Sequence, residues 1–553
     1  HKENHALLEV LIALSLAILI GNIIAHKTRL TPAIVLIVLG LVLGLIPAHQ
    51  LHEVQELGLP PHVILEIFLP IMLFWEARNT SWREIRKFMR GIILTGTLLV
   101  IFTAAVIAWT LNFFFGTDWG VALIIGAALA PTDATAVATL NGKLPKSSIT
   151  ILKAESLIND GTTLVIFALA LQVANGHHLS LGPTTGMFFY SFAVGIFVGL
   201  AVGWTGNRIR AYLTNPMYFT VFMVTTPFIA FLISEQLEIA EGFKGSGVVA
   251  VVVAAIYLTY NGPDTITAQN RFYGLPIWAF ISFVLNGALF VLVGVQLPEV
   301  WRAMDEVAQH NHYSAMTGVM VVLVAWVTSV AARFVFLNVT VGIIRALDRS
   351  EKQRRLRGTF RGRVVSTFAG LRGGISLAVA LSVPVGVEGR EFIIFVVAAV
   401  VILSMVVQGL ALPVVIRWAK IPSDDSETRE MTEAARLAWN ESYKNLDELA
   451  EQAKVSPEAL ESIREECKHR TRLYNDHHDT YKEISSMEAR PDGSHTATQL
   501  EQENMLRLAI IDNQRQVLKH LRNEGKIDMN VLHVIQERLD IEEVRVLGPV
   551  ELE

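Results

Sequence analysis

Cysteine and charge are both scarce in this chain. Its 553 residues contain one cysteine, Cys467, so no intrachain disulfide can form and a reducing compartment is compatible with the sequence. Charged residues make up 18% of the chain and hydrophobic residues 52%, whereas a soluble protein carries about 25% charged residues. That deficit excludes an ordinary large soluble core and points to a chain that crosses a membrane repeatedly. Also missing are a glycine-rich phosphate loop, a Cys/His cluster and a basic nucleic-acid patch. Readings that need a bound nucleotide, zinc or nucleic acid therefore have no support, and no cofactor is expected. No basic n-region followed by a cleavage site stands at the start, so the first apolar run is expected to remain as a membrane span.

What is present is a series of apolar runs. About 17–25 such residues suffice to cross a bilayer as a helix. They fall near 7–25, 30–46, 62–77, 91–114, 119–140, 148–173, 184–206, 216–234, 246–259, 276–297, 316–344, 364–385 and 392–416. Thirteen spans put the two termini on opposite sides. The alternate loops that begin at 26–29 carry 22 Lys or Arg, and the opposite set carries three, Lys244, Arg302 and Arg390. Because Lys and Arg concentrate in cytoplasmic loops, the N-terminus is expected outside and the C-terminus inside.

A membrane domain over 1–421 and a tail over 422–553 are thus expected. From Ser423 onward there are 17 basic and 29 acidic residues, against 29 and 22 before it. A basic, apolar body carries an acidic tail. Residues 427–453 and 500–525 have apolar positions three and four apart, the spacing of helices, and ARPDGSHTAT (489–498) reads as a loop. The tail is either a solvated helical appendage or a regulatory module that docks on basic cytoplasmic loops, above all 345–363. An unknown cytoplasmic ligand of the tail stays open, though no motif identifies one.

Five ionisable residues fall well inside the predicted spans: Asp133, Glu155, Asp160, Arg333 and Arg372. Each costs ~2.5–3.5 kcal/mol at mid-bilayer even on lenient scales, so such residues are functional candidates. Glu9, Glu66 and Glu76 lie near span ends, where snorkelling to water accounts for them. On a helix over 148–173, Glu155 and Asn159 share a face, and Ser156, Asp160 and Thr163 form an adjacent stripe. Carboxylate, hydroxyl and amide oxygens clustered in this way suit a hard monovalent cation or a proton. Arg333 needs a buried partner, and Glu155, Asp160 and Asp133 are all candidates. Two spans look interrupted, one at Pro131 and one at Gly370, Gly373 and Gly374 around Arg372. If 7–173 and 216–416 are two six-span halves about a central helix, these are the fifth helix of each. Matched breaks of this kind mark inverted-repeat transporters whose substrate lies at the breaks.

PTDATAV (131–137), ESLIND (155–160), Arg333 in the eleventh span and GLRGGISLAVAL (370–381) resemble the monovalent cation:proton antiporter family. That family includes bacterial NhaP-type antiporters and animal sodium/hydrogen exchangers, and the resemblance covers about residues 7–417. It implies an all-α polytopic membrane protein of about 13 transmembrane helices, with inverted six-helix repeats and two crossing broken helices, followed by the helical cytoplasmic domain. It also implies a homodimer in the plasma (inner) membrane, in which a six-helix core moves against a dimerisation domain. By the same resemblance, Asp160 binds the cation or the proton, and Ser156 and the backbone around Thr132 complete the coordination of Na+ or another alkali cation. Asn159 hydrogen-bonds near the broken helices, Asp133 and Arg372 compensate their dipole ends, and Glu155 pairs with Arg333. The Asn-Asp pair is typical of the electroneutral branch, which implies Na+ exchanged one-for-one with H+ rather than an enzymatic reaction. K+/H+ antiport is the alternative on the same fold. An intramembrane aspartyl protease using Asp133 and Asp160 would be expected to carry a GxGD stretch, which is missing, and a channel would not couple flux to protons.

Overall fold

A computed structural model describes residues 3–28, 31–45, 64–80, 82–134, 137, 146–176, 181–239, 244–262, 266–311, 315–347, 359–420, 426–476 and 497–547. Among these residues no strand forms, and one isolated bridge joins Glu238 to Lys244. The membrane part begins with α1 (Glu3–Thr28), α2 (Pro32–Leu45), α3 (Leu69–Arg78), α4 (Trp82–Ile93), α5 (Leu99–Phe115) and α6 (Trp119–Leu129). It continues through α7 (Lys146–Ala174), α8 (Leu181–Arg210), α9 (Pro216–Gln236), α10 (Gly247–Tyr260), α11 (Ala268–Asn311) and α12 (Ala315–Leu347). α13 (Phe360–Phe368), α14 (Gly374–Leu381), α15 (Arg390–Leu403) and α16 (Gly409–Ala419) complete it. Wide π-helical turns at Leu94–Leu98 and Ser404–Gln408 fuse α4 to α5 and α15 to α16.

Each of the thirteen predicted stretches overlaps described helix. Among the described residues, seven continuous helices are long and apolar enough to cross a bilayer, Ile85–Phe115 and Arg390–Ala419 being two of them. The two stretches read as interrupted, at Pro131 and around Gly370, Gly373 and Gly374, are broken, whereas Pro227, Pro276 and Pro413 sit inside continuous helix. α6 stops at Leu129 before Pro131, which lacks an amide donor and disfavours helix in the residue before it. The segment 369–373 separates α13 from α14.

The distribution of side chains is that of a protein solvated by lipid. Large apolar residues stand exposed on the outer helices, among them Trp109, Phe113, Phe197, Phe280 and Leu410, while Arg210, Arg333 and Arg372 are fully buried. Hydrocarbon gives no hydrophobic drive between helices, so close approach of backbones has to hold them together. α2 and α11 show how. A Cβ on Gly40 would fall on the Val291 carbonyl, and one on Gly294 would fall on that of Ile37.

In the tail, α17 (Ser426–Lys444), α18 (Leu446–Ala453), α19 (Pro457–Asp476), α20 (Ala497–Asn523) and α21 (Met529–Leu547) enclose two small apolar cores. One is built around Leu518, Leu532 and Ile535, and the other around Trp439, Ile463 and Leu506. Residues 489–496 of the predicted loop lie outside the described residues, and α20 begins at Ala497. The tail is docked on the membrane part. Arg271, near the start of α11, forks onto Asp540 through Nε at 2.6 Å and Nη2 at 2.7 Å, and Arg515 joins the same carboxylate at 2.7 Å. Arg83 of α4 meets Glu430 at 2.9 Å, and Arg522 stacks on Tyr260 at the end of α10. These contacts differ from the loop singled out above, whose residues 348–358 lie outside the described residues.

The docked surface is sensitive to protons. Burial, together with the positive charges of Arg78, Arg271 and Arg522, pushes the His533 imidazole down from 6.5 to about 3. Released tail therefore binds a proton between those values that docked tail refuses, so docking is strongest above about pH 6.5 and weakens as pH falls towards 3. Hydrogen exchange in α21 should accelerate on acidification from pH 7.5 to 5, beyond the change in intrinsic rate, and His533→Gln should flatten that response. Arg271→Ala removes two charge-assisted hydrogen bonds and should loosen docking by about 1.5–3 kcal/mol. Unchanged exchange in α21 of that variant would show that the fork does not hold the tail.

Candidate functional site

Two interrupted helices meet inside the membrane part. The carbonyls at the end of α6 have no further helical turn to bond, and Arg372 supplies one donor, its Nε reaching the Leu129 carbonyl at 2.8 Å. The same guanidinium bonds the Gly370 carbonyl, and its backbone amide is held by Ser404 Oγ at 3.2 Å. At the other break, Asp133 lies against Gly373, the residue that caps α14 at its N-terminus. A Cβ at Gly373 would collide with the Asp133 carboxylate, so glycine is what lets this acid reach the positive end of the half-helix. The Asp133 amide donates to the Leu371 carbonyl at 2.7 Å and joins the two breaks directly.

α7 runs beside this crossing. Ser156 Oγ donates to the Thr132 carbonyl at 2.9 Å, and Asn159 Nδ2 donates to Thr132 Oγ1 at 3.0 Å. Glu155 and Asp160 are five residues apart, which at 100° per residue places them about 140° apart around the helix. They accordingly serve different surroundings. Glu155 Oε1 meets Arg333 Nη1 at 2.5 Å with both side chains buried, and Arg333 Nε also bonds the Ser366 carbonyl at 2.9 Å. Asp160 is 1% exposed, and neither of its carboxylate oxygens has a hydrogen-bond partner among the described residues.

The Asp160 side faces a cavity of about 170 Å³, lined also by Glu76, Thr132, Asp133, Lys153 and Ser156. Such a volume admits several waters. All the predicted cation- or proton-binding residues are thus gathered around one crossing, with Asn159 tied to it through Thr132. Glu155 and Arg333 sit on the opposite side of α7, and Arg372 sits at the helix end.

The structure moves one acid away from the span end where the sequence put it. Glu76 does not snorkel from a span end: it lines the cavity, and its Oε1 is buried without a hydrogen-bond partner among the described residues. The clue was the shortness of the third apolar run, whose end lies at an internal cavity rather than at the membrane surface. Ser282 and Asn286 of α11 and Ser376 of α14 also line the cavity. Asn286 is legible in the sequence as an amide within an apolar run; nothing in the sequence distinguishes the two serines.

Buried carboxylate and hydroxyl oxygens beside two crossing helix breaks, in a polytopic helical protein, define a secondary transporter of small cations. Residues 12–418 match the family described as sodium/hydrogen exchanger, transmembrane, and the chain belongs to that family of cation/proton antiporters. A Mycobacterium tuberculosis protein described as an uncharacterized Na+/H+ exchanger is 37% identical over 559 residues, covering 99% of this chain and 97% of its own. The Na+/H+ antiporter ApNhaP of Aphanothece halophytica is 26% identical over 550 residues, covering 97% of each chain. The structure of the sodium proton antiporter MjNhaP1 from Methanocaldococcus jannaschii has the same fold, with a TM-score of 0.57 at 17% identity over 74% of this chain and 99% of that one.

Glu155→Ala should destabilise the protein by about 3–5 kcal/mol, because it leaves Arg333 buried without its counter-charge. Thermal melting in detergent measures this. Melting equal to that of the unaltered protein would remove the pair from the list of structural supports.

Proposed function

We propose that the protein exchanges one Na+ for one H+ by alternating access, with Asp160 as the shared site. Asp160 carries the proposal: a buried carboxylate with two free oxygens needs either a cation or a proton to offset its charge, and the cavity beside it admits both. Ser156 and the Thr132 backbone supply further oxygens, and Glu76 is added to the predicted set. Asn159 contributes an amide where a second acid would bring a second charge, which supports one charge in for one charge out. Asp133 and Arg372 hold the broken helices open around the site, and Glu155 with Arg333 anchors α7 beside them.

The architecture proposed around this site comprises thirteen spans in inverted repeats, with a core moving against a dimerisation domain in a homodimer. The setting is the plasma membrane, with the N-terminus outside and the tail in the cytoplasm, as the asymmetry of Lys and Arg in the loops supports. The acidic tail, docked on α4, α10 and α11, serves as a regulatory module of residues 422–553. K+/H+ exchange remains the second reading, since oxygen ligands alone do not set alkali selectivity.

Proteoliposomes under an imposed pH gradient, challenged with Na+, K+ and Li+ in turn, test both readings. Asp160→Asn should abolish cation-dependent proton flux while leaving thermal melting near that of the unaltered protein. Full proton-coupled flux in this variant would overturn the assignment.

A further inference from the structure

One-for-one exchange through Asp160 leaves a second cavity acid to be explained. Two uncompensated carboxylates would draw two positive charges into the site, and Glu76 lines the same cavity as Asp160. Of the other acids nearby, Glu155 is paired with Arg333, and Asp133, which also lines the cavity, has its charge partly offset by the positive end of α14. A cationic side chain also reaches the cavity, Lys153 of α7. Lys153, Ser156 and Asp160 are spaced by three and four residues, so they form one stripe of the helix, with Lys153 roughly 10 Å from Asp160 along its axis.

We propose that Lys153 is a resident counter-charge: its ammonium offsets Glu76, so an entering ion meets one carboxylate charge fewer than the acids lining the cavity would otherwise present. This inference rests on the antiport reading above. Among the described residues, the rest of the lining does not supply that balance. α11 and α14 contribute the neutral Asn286 and Ser376 to the cavity, and α4 packs on this length of α7 through Ile85 and Ile92. Lys153 acts through the field it sets at the two carboxylates, so it is a positioning residue for charge rather than an ion ligand.

The sign of its effect follows. A bound proton and a bound Na+ each neutralise a carboxylate, and each is opposed by a nearby positive charge. Removing that charge strengthens both. At alkaline pH, where protons compete least, the half-saturating Na+ concentration should fall. The acid limb of the activity profile should move to higher pH, because protons then leave the site less readily.

Full-length protein in proteoliposomes provides the test, with Na+-dependent proton flux as the readout and detergent melting as the control for folding. Lys153→Met should lower half-saturating Na+ about tenfold, the size expected for one charge ~10 Å away at an effective dielectric near 20. Its acid limb should shift upward by several tenths of a pH unit or more. Lys153→Arg keeps the charge and should stay within about twofold of the unaltered protein. If the Met variant fails to fold, Lys153→Gln replaces it with the same expectations. A neutral variant with unchanged half-saturation and pH profile overturns the proposal, and so does an Arg variant as altered as the neutral one. Absence of cation-dependent proton flux in the unaltered protein would instead overturn the antiport reading, in an arm that does not involve Lys153.

Discussion

Arg372 donates to the last carbonyl of α6, and Asp133 lies at the first turn of α14, where two helices stop in the interior of the membrane part. A stopped helix leaves up to four backbone groups without partners, and hydrocarbon holds no water to take them. The crossing answers this by exchange. Each broken segment carries a group that the other lacks, and the Asp133 amide on the Leu371 carbonyl ties them together. The Thr132 carbonyl is left turned towards α7, where Ser156 meets it. The oxygen-rich site is therefore a by-product of how the breaks are satisfied, and its geometry depends on two charges that do not themselves need to touch an ion.

α7 separates structural from exchangeable charge by its pitch alone. Five positions apart, Glu155 and Asp160 cannot share a face. Glu155 is committed to Arg333 and Asp160 to the cavity. Had the spacing been four, both acids would have met the same surroundings and competed for the same guanidinium. Asn159 occupies that fourth position and brings no charge. Its amide reaches Thr132, which binds α7 to the break without altering the electrostatics of the cavity.

The helical class and the positions of the breaks were legible in the sequence, because apolar run length and Pro or Gly within a run act locally. The Glu155–Arg333 pairing could be narrowed to three acids but not chosen from the residues alone, since the choice depends on which face of α7 turns to α12. Glu76 was misread for a related reason. An acid three residues before Asn79, at the end of a short apolar run, looks interfacial unless the cavity behind it is known. Lys153 gains a role only from the cavity it shares with Glu76 of α3, which the sequence does not show. The tail's helices followed from their spacing. Charge complementarity pointed to basic cytoplasmic loops, above all 345–363, of which residues 348–358 lie outside the described residues; the described contacts use Arg83 and Arg271, both among the basic residues of those loops, together with Tyr260.

The contact of α2 with α11 constrains how the molecule can move. Gly40 and Gly294 seat each helix against the other's carbonyls, closer than any side chain would permit. Sliding one helix along the other would carry a neighbouring Leu or Val into that gap, so shear at this seam is sterically blocked. The two helices form one rod. Displacement between parts of the protein has to be taken up at seams cushioned by side chains, which can exchange rotamers as they pass, and not at one where backbone rests on backbone.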